Sequence, residues 1–114
     1  MKRLWTAFFS TRDGLVWAAR YETAVTQELF VLLVATPLAF FVTPSAWERI
    51  ALVGSLLLVL MIELVNTALE KLCDHLAPEL SPKIKVVKDL GSAAVFVAIV
   101  LAGAVWINVL MGWH

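Results

Sequence analysis

The chain has 114 residues, enough for one domain and too few for a second. It is 61% hydrophobic and 16% charged, whereas soluble domains run at about 45–50% and about 25%. This excludes disorder and collagen-like structure and stands against an ordinary water-soluble fold. Nine basic and nine acidic residues cancel, so the total charge points to no nucleic-acid partner. The single cysteine, Cys73, rules out an intrachain disulfide.

The N-terminal Met1-Lys2-Arg3 and the LWTAFF after it are too short for a signal peptide's apolar core. No small-residue cleavage site follows, so this stretch is expected to be retained. Thr11-Arg12-Asp13-Gly14 reads as a break, with Asp13 placed to cap a new helix. Beyond it, Trp17, Tyr21 and Val25 repeat at i, i+4, i+8, with Arg20, Thr23 and Gln27 on the opposite side. That pattern suits an amphipathic helix lying in a membrane interface. A surface helix packed on its own bundle suits it equally. Residues 1–27 are expected to form this arm.

Three long apolar stretches follow. Nineteen uncharged residues lie between Glu28 and Glu48, and twenty-four more run over residues 90–113. Either can cross a hydrocarbon layer of about 30 Å, which takes about 20 helical residues. Residues 50–62 are also apolar, and LVNTALEKL after Glu63 continues without Gly or Pro. One helix is predicted from about Ala46 to about Leu76, long enough to reach the headgroup region. The expected fold is an all-α integral membrane bundle with spans at about 28–45, 47–75 and 90–113 and a loop at 76–89. Lys2, Arg3, Arg12, Arg20, Lys71, Lys83, Lys85 and Lys88 share one side, and only Arg49 lies on the other. The positive-inside rule then puts the N-terminus in the cytoplasm and the C-terminus outside. Trp47, Trp106 and Trp113 fall near the outer helix ends, where indole rings favour the interface. Pro37 is expected to kink the first span mildly.

The second span carries the chemistry. Glu63, Glu70 and Asp74 fall within roughly 40° of one another on a helix advancing about 100° per residue, and Asn66 and Thr67 flank that stripe. A charge at the bilayer centre costs on the order of 2.5–3.5 kcal/mol on insertion scales, so aligned carboxylates there need a partner or a purpose. Interhelical hydrogen bonding accounts for Asn66 alone. Several like charges on one face call for a cation or a proton between them. Mg²⁺ is a natural occupant of an oxygen-rich cluster. Residue chemistry alone therefore reaches a membrane protein with a cation or proton site near its cytoplasmic surface.

The run Glu63-Leu-Val-Asn66-Thr-Ala-Leu-Glu70-Lys-Leu-Cys-Asp74, followed by Lys88-Asp89-Leu-Gly-Ser-Ala-Ala-Val, resembles the prokaryotic diacylglycerol kinase family, which includes the undecaprenol kinases. The resemblance extends over nearly the whole chain. It implies a homotrimer in the bacterial inner membrane, with active sites shared between subunits, transferring the γ-phosphate of Mg²⁺-ATP to a lipid hydroxyl. Carried onto this chain, it makes Glu63 the general base and Asn66 a positioning residue. Glu22 and Glu70 become the Mg²⁺ carboxylates. Lys88 and Asp89 become nucleotide contacts, as do Arg3, Ser10 and Glu79, and Glu28 and Ser92 lie by the lipid substrate with Asp74 in support.

Elementary chemistry fits those roles. Phosphoryl transfer needs a metal, charge neutralisation and in-line positioning, and the chain has no glycine-rich phosphate loop of the GxxxxGK[ST] kind. The arm departs from the family pattern: Asp13, Val25 and Thr26 stand where lysine, phenylalanine and arginine are usual. Those departures bear on the identity of the lipid, whereas Gly91-Ser92-Ala-Ala-Val resembles the diacylglycerol branch more than the undecaprenol branch. The expected function is therefore a diacylglycerol kinase making phosphatidic acid, with undecaprenol kinase as the alternative. From another class, the alternative is a small membrane carrier or interaction protein whose carboxylates bind cations or protons. His75 and His114 read as surface residues, and Cys73 as a packed helix residue.

Overall fold

The computed structural model describes residues 2–76 and 81–112, and all of its regular structure is α-helical. Helix α1 spans Lys2–Tyr21, α2 Thr23–Val42, α3 Ala46–Leu76 and α4 Pro82–Met111. The last three are long and apolar enough to cross a membrane. Most of their surface faces outward, with Phe30, Leu33, Phe41, Phe96 and Val97 well exposed. Such a surface suits hydrocarbon or further helices rather than water.

Two helix boundaries differ from the sequence expectation at the N-terminal end. No break occurs at Thr11–Gly14, and α1 runs straight through it. A glycine inside a helix costs only about 1 kcal/mol relative to alanine, and Asp13 pairs with Arg12 at 3.3 Å instead of capping a helix. The chain turns instead at Glu22, whose backbone is extended (φ −114°, ψ 112°). Thr26 secures this corner by donating its hydroxyl to the Ala19 carbonyl at 2.6 Å, one of the acceptors a helix end leaves open. The Trp17–Tyr21–Val25 stripe is thereby split. Val25 is fully buried in α2 while Trp17 and Tyr21 stay exposed on α1.

At the opposite end, α2 and α3 meet in a closed polar turn. Ser45 Oγ accepts the Glu48 backbone N–H at 3.3 Å, and Glu48 in turn accepts the Thr43 hydroxyl. The Arg49 guanidinium donates to the Thr43 carbonyl at 3.0 Å and stacks over Phe40 at 4.4 Å. Ser45-Ala-Trp-Glu48 has the spacing of a capping box. Pro37 lies within α2 without ending it.

Helix α4 starts at Pro82, eight residues before the expected 90. Ser81 caps it by accepting the Ile84 N–H at 3.2 Å, and Pro82 occupies the first turn, where its missing N–H costs nothing. Thirty residues make about 45 Å of helix, more than the hydrocarbon thickness, so the charged turns around Lys83–Asp89 extend beyond the apolar part. Gly112 ends the helix in the left-handed conformation (φ +71°), where only glycine is unstrained.

The helices join through two small cores. Ala18, Val25 and Leu60 tie α1, α2 and α3 together. Val59 packs on Ala98 and Ala102 of α4. Gly91, Ala98 and Ala102 are the buried residues of α4, and small side chains there let two backbones approach closely, which is what holds helices together where no water is displaced. Trp106 adds a cross-link by donating its indole N–H to the Leu52 carbonyl at 3.1 Å. Its ring therefore binds α3 as well as lying near the helix end; Trp113 lies outside the described residues.

Candidate functional site

The α1–α2 corner, the last turns of α3 and the first turns of α4 share one end of the bundle. Glu22 sits in the corner. Lys71 of α3 reaches it at 3.3 Å and lies over the Trp17 ring at 5.6 Å. Glu63 and Glu70 are half-buried on α3. Glu63 stands in the electrostatic field of both Glu70 and Glu22, and Glu28 of α2 in that of Glu63. Glu63 is thus the carboxylate whose charge neighbours lie on three elements: Glu22 at the corner, Glu28 on α2 and Glu70 on α3.

Asn66 lies between the helices. Its Nδ2 donates to Glu70 at 3.2 Å, while its Oδ1 is buried and has no hydrogen-bond partner. That oxygen presses on Gly91 of α4, where an added Cβ would stand 2.0 Å from it. One turn or so beyond, Lys88 donates to Asp74 at 2.7 Å and bridges α4 to α3. Asp89 neither caps α4 nor pairs with Lys88; it accepts from Lys85 at 2.6 Å. Cys73 is buried.

The remaining positions are more dispersed. Ser92 follows Gly91 but is exposed on α4. Ser10 and Arg3 are exposed on α1, about 18 and 28 Å along the helix from Glu22 at 1.5 Å per residue. Within one chain they are not brought to the carboxylates. Glu79 lies outside the described residues.

An apolar cleft of about 560 Å³ opens between α2 and α4 over α3. Glu28 stands as its acidic residue, and Val31, Val34, Leu56, Ile99 and Trp106 line its walls. Among the described residues no three His, Cys, Asp or Glu side chains form a metal cage by themselves. Sequence reasoning missed Lys71 as the partner of Glu22 and Gly91 as the partner of Asn66. Both pairings join different elements, so no local pattern carries them.

A model of the prokaryotic diacylglycerol kinase family matches residues 10–110. A diacylglycerol kinase of Pseudomonas aeruginosa is 36% identical over 112 residues, covering 98% of this chain and 91% of that protein. One from Haemophilus influenzae is 38% identical over 98 residues, covering 86% and 83%. One from Escherichia coli is 36% identical over 93 residues, covering 82% and 76%. The match runs from the α1 helix through almost all of α4, and therefore takes in the corner, the polar stripe of α3 and the start of α4. The chain belongs to the prokaryotic diacylglycerol kinase family.

Proposed function

We propose that the protein is a lipid kinase that transfers the γ-phosphate of Mg²⁺-ATP to the hydroxyl of diacylglycerol, giving phosphatidic acid. The observation that carries this reading is the apolar cleft with Glu28 in its wall, on the helix next to the Glu63–Asn66–Glu70 stripe, with Asn66 donating to Glu70 at 3.2 Å. A lipid tail suits the cleft, and its hydroxyl then meets Glu28 and Glu63. A soluble nucleotide approaches from the side that carries Lys83, Lys85, Lys88 and Asp89. Few substrates other than an amphiphilic alcohol need both surfaces at once.

Glu63 acts as the general base. It takes the proton as the lipid oxygen bonds to the γ-phosphorus and the bond to ADP breaks. Glu22 and Glu70 fit a divalent cation on the chemistry of their donors: hard carboxylate oxygens, crowded by a third carboxylate. Mg²⁺ is commonly held by one or two carboxylates plus substrate phosphates, so a full protein cage is not required. A divalent cation held there would supply positive charge against the phosphates of the nucleotide. Lys71 holds Glu22 by an ion pair at 3.3 Å. Asn66 fixes Glu70 through its amide. Lys88, bound to Asp74 here, is within a side chain's swing of the same region and supplies positive charge to the nucleotide, with Asp89 beside it. Arg3 and Ser10, remote from Glu22 in their own chain, contact nucleotide only if sites are shared between copies, as in a homotrimer.

On this reading the enzyme lies in the bacterial inner membrane, with the carboxylate end at the cytoplasmic face, where ATP is available. The experiment supplies purified protein with labelled ATP, Mg²⁺ and either diacylglycerol or undecaprenol in mixed micelles. Labelled phosphatidic acid is expected. Label in polyprenyl phosphate alone would move the substrate to the undecaprenol branch, and label in neither lipid would contradict kinase activity.

A further inference from the structure

We propose that Gly91 is a positioning residue for the metal carboxylate Glu70, acting through the amide of Asn66; this rests on the lipid-kinase reading and on Glu70 as a Mg²⁺ ligand. Three observations meet at this point. The Asn66 Oδ1 occupies the space a side chain on residue 91 would fill: an added Cβ would lie 2.0 Å from Oδ1, 3.2 Å from Cγ and 4.0 Å from Cβ of Asn66. The same Oδ1 is buried without a hydrogen-bond partner. The other end of the amide donates to Glu70 at 3.2 Å.

A buried amide oxygen without a partner is costly, and a free side chain would rotate to relieve it. Here the amide has one rewarded orientation, with Nδ2 on Glu70, and that orientation requires the oxygen to lie against α4. Only a residue without a Cβ leaves room for it. The Cα–H of Gly91 directed at Oδ1 offers a weak contact in return. Gly91 therefore selects the rotamer of Asn66, and Asn66 selects the position of one Glu70 oxygen. Packing alone explains a small residue at a helix crossing, as at Ala98 and Ala102. It does not explain a polar tip seated on the glycine.

The geometry also says what Gly91→Ala does. The clash involves the end of one side chain, and the Asn66 Cβ stays in ordinary contact at 4.0 Å. The variant folds with its helices in place, and the amide swings off Glu70. Mn²⁺ binding to the full-length protein in micelles without lipid, read by electron paramagnetic resonance, is the direct test. Gly91→Ala and Asn66→Ala are each expected to weaken Mn²⁺ binding about ten-fold, the order expected for losing one hydrogen bond to a charged group. The double variant is expected to match Asn66→Ala, because alanine at 66 has no amide to displace. In turnover, Gly91→Ala raises the half-saturating Mg²⁺ concentration and leaves the apparent KM for lipid unchanged, a split that general loosening of the bundle would not produce.

Mn²⁺ binding by Gly91→Ala at the wild-type level overturns the inference, as does a double variant weaker than Asn66→Ala by the full factor of Gly91→Ala. Should Gly91→Ala not fold, Asn66→Ala and the double variant carry the comparison alone, with equal affinity supporting the inference and unequal affinity overturning it. Glu70→Gln separates the two levels. If it weakens Mn²⁺ binding while Gly91→Ala does not, only the positioning role falls. If it leaves Mn²⁺ binding untouched, the metal role of Glu70 falls and takes the inference with it.

Discussion

The two ends of the α3 helix are built from similar residues and behave in opposite ways. At its start, Thr43, Ser45, Glu48 and Arg49 form a closed knot in which hydroxyl, carboxylate, guanidinium and backbone groups satisfy one another, with Phe40 beneath the cation. Toward its end, Glu63 and Glu70 stand in each other's field and Asn66 keeps a buried oxygen without a partner. A polar cluster that satisfies itself contributes to the fold. A cluster that sets like charges near one another is held in place by the rest of the fold, and local rules are broken in this way at functional sites.

Substitutions at the two ends should therefore separate activity from stability. The largest effect is expected from Glu63→Gln, which keeps size and removes the proposed base: turnover falls by about 10²–10⁴-fold while circular dichroism and oligomeric state remain those of the parent. Glu70→Gln comes next, with a raised Mg²⁺ requirement or lost activity, read from turnover against Mg²⁺ concentration; an unchanged Mg²⁺ response would contradict the metal role. At the other end, Thr43→Val leaves Glu48 and the Ser45 N–H without their shared hydroxyl. This is expected to cost about 1–3 kcal/mol of stability, measured by thermal or denaturant unfolding, with phosphoryl transfer unaffected. The smallest effect is at Lys71. Its ion pair with Glu22 is partly exposed, so Lys71→Met frees the carboxylate and tightens Mn²⁺ binding by no more than about five-fold; weaker binding would show that Lys71 helps to hold the metal complex instead.

Much of this contrast was legible in the residues. The 3–4–4 spacing of Glu63, Asn66, Glu70 and Asp74 places them along one helix stripe whatever surrounds it, and α3 runs unbroken past Glu63 to Leu76, as its residues after Glu63 predict. The resemblance to the family rests on the same run, and the family match confirms it. Boundaries fared worse where charge was taken as the limit of a helix. Lys83 to Asp89 lie within α4 because a helix does not stop at the membrane surface, and Ser81-Pro82 already marked its start. The corner at Glu22 has neither proline nor glycine, and its support, the Thr26 hydroxyl on Ala19, exists only after the chain has turned. Ser45-x-x-Glu48 is a local start signal for α3, with Ser45 Oγ accepting the Glu48 N–H, and it lies obscured at the edge of an apolar run. Contacts between helices had no sequence signal at all: Lys71 on Glu22, Lys88 on Asp74 and Asn66 on Gly91 depend on which faces meet.

The central claim is that the unsatisfied end of α3 is a phosphoryl-transfer site for a lipid alcohol. Transfer of label from γ-labelled ATP to diacylglycerol in mixed micelles, measured side by side for the parent protein and Glu63→Gln, tests it most directly. The account predicts Mg²⁺-dependent labelled phosphatidic acid from the parent and a loss of about 10²–10⁴-fold in the folded variant. Equal labelling by the two proteins, or none from the parent with either diacylglycerol or undecaprenol, would contradict it.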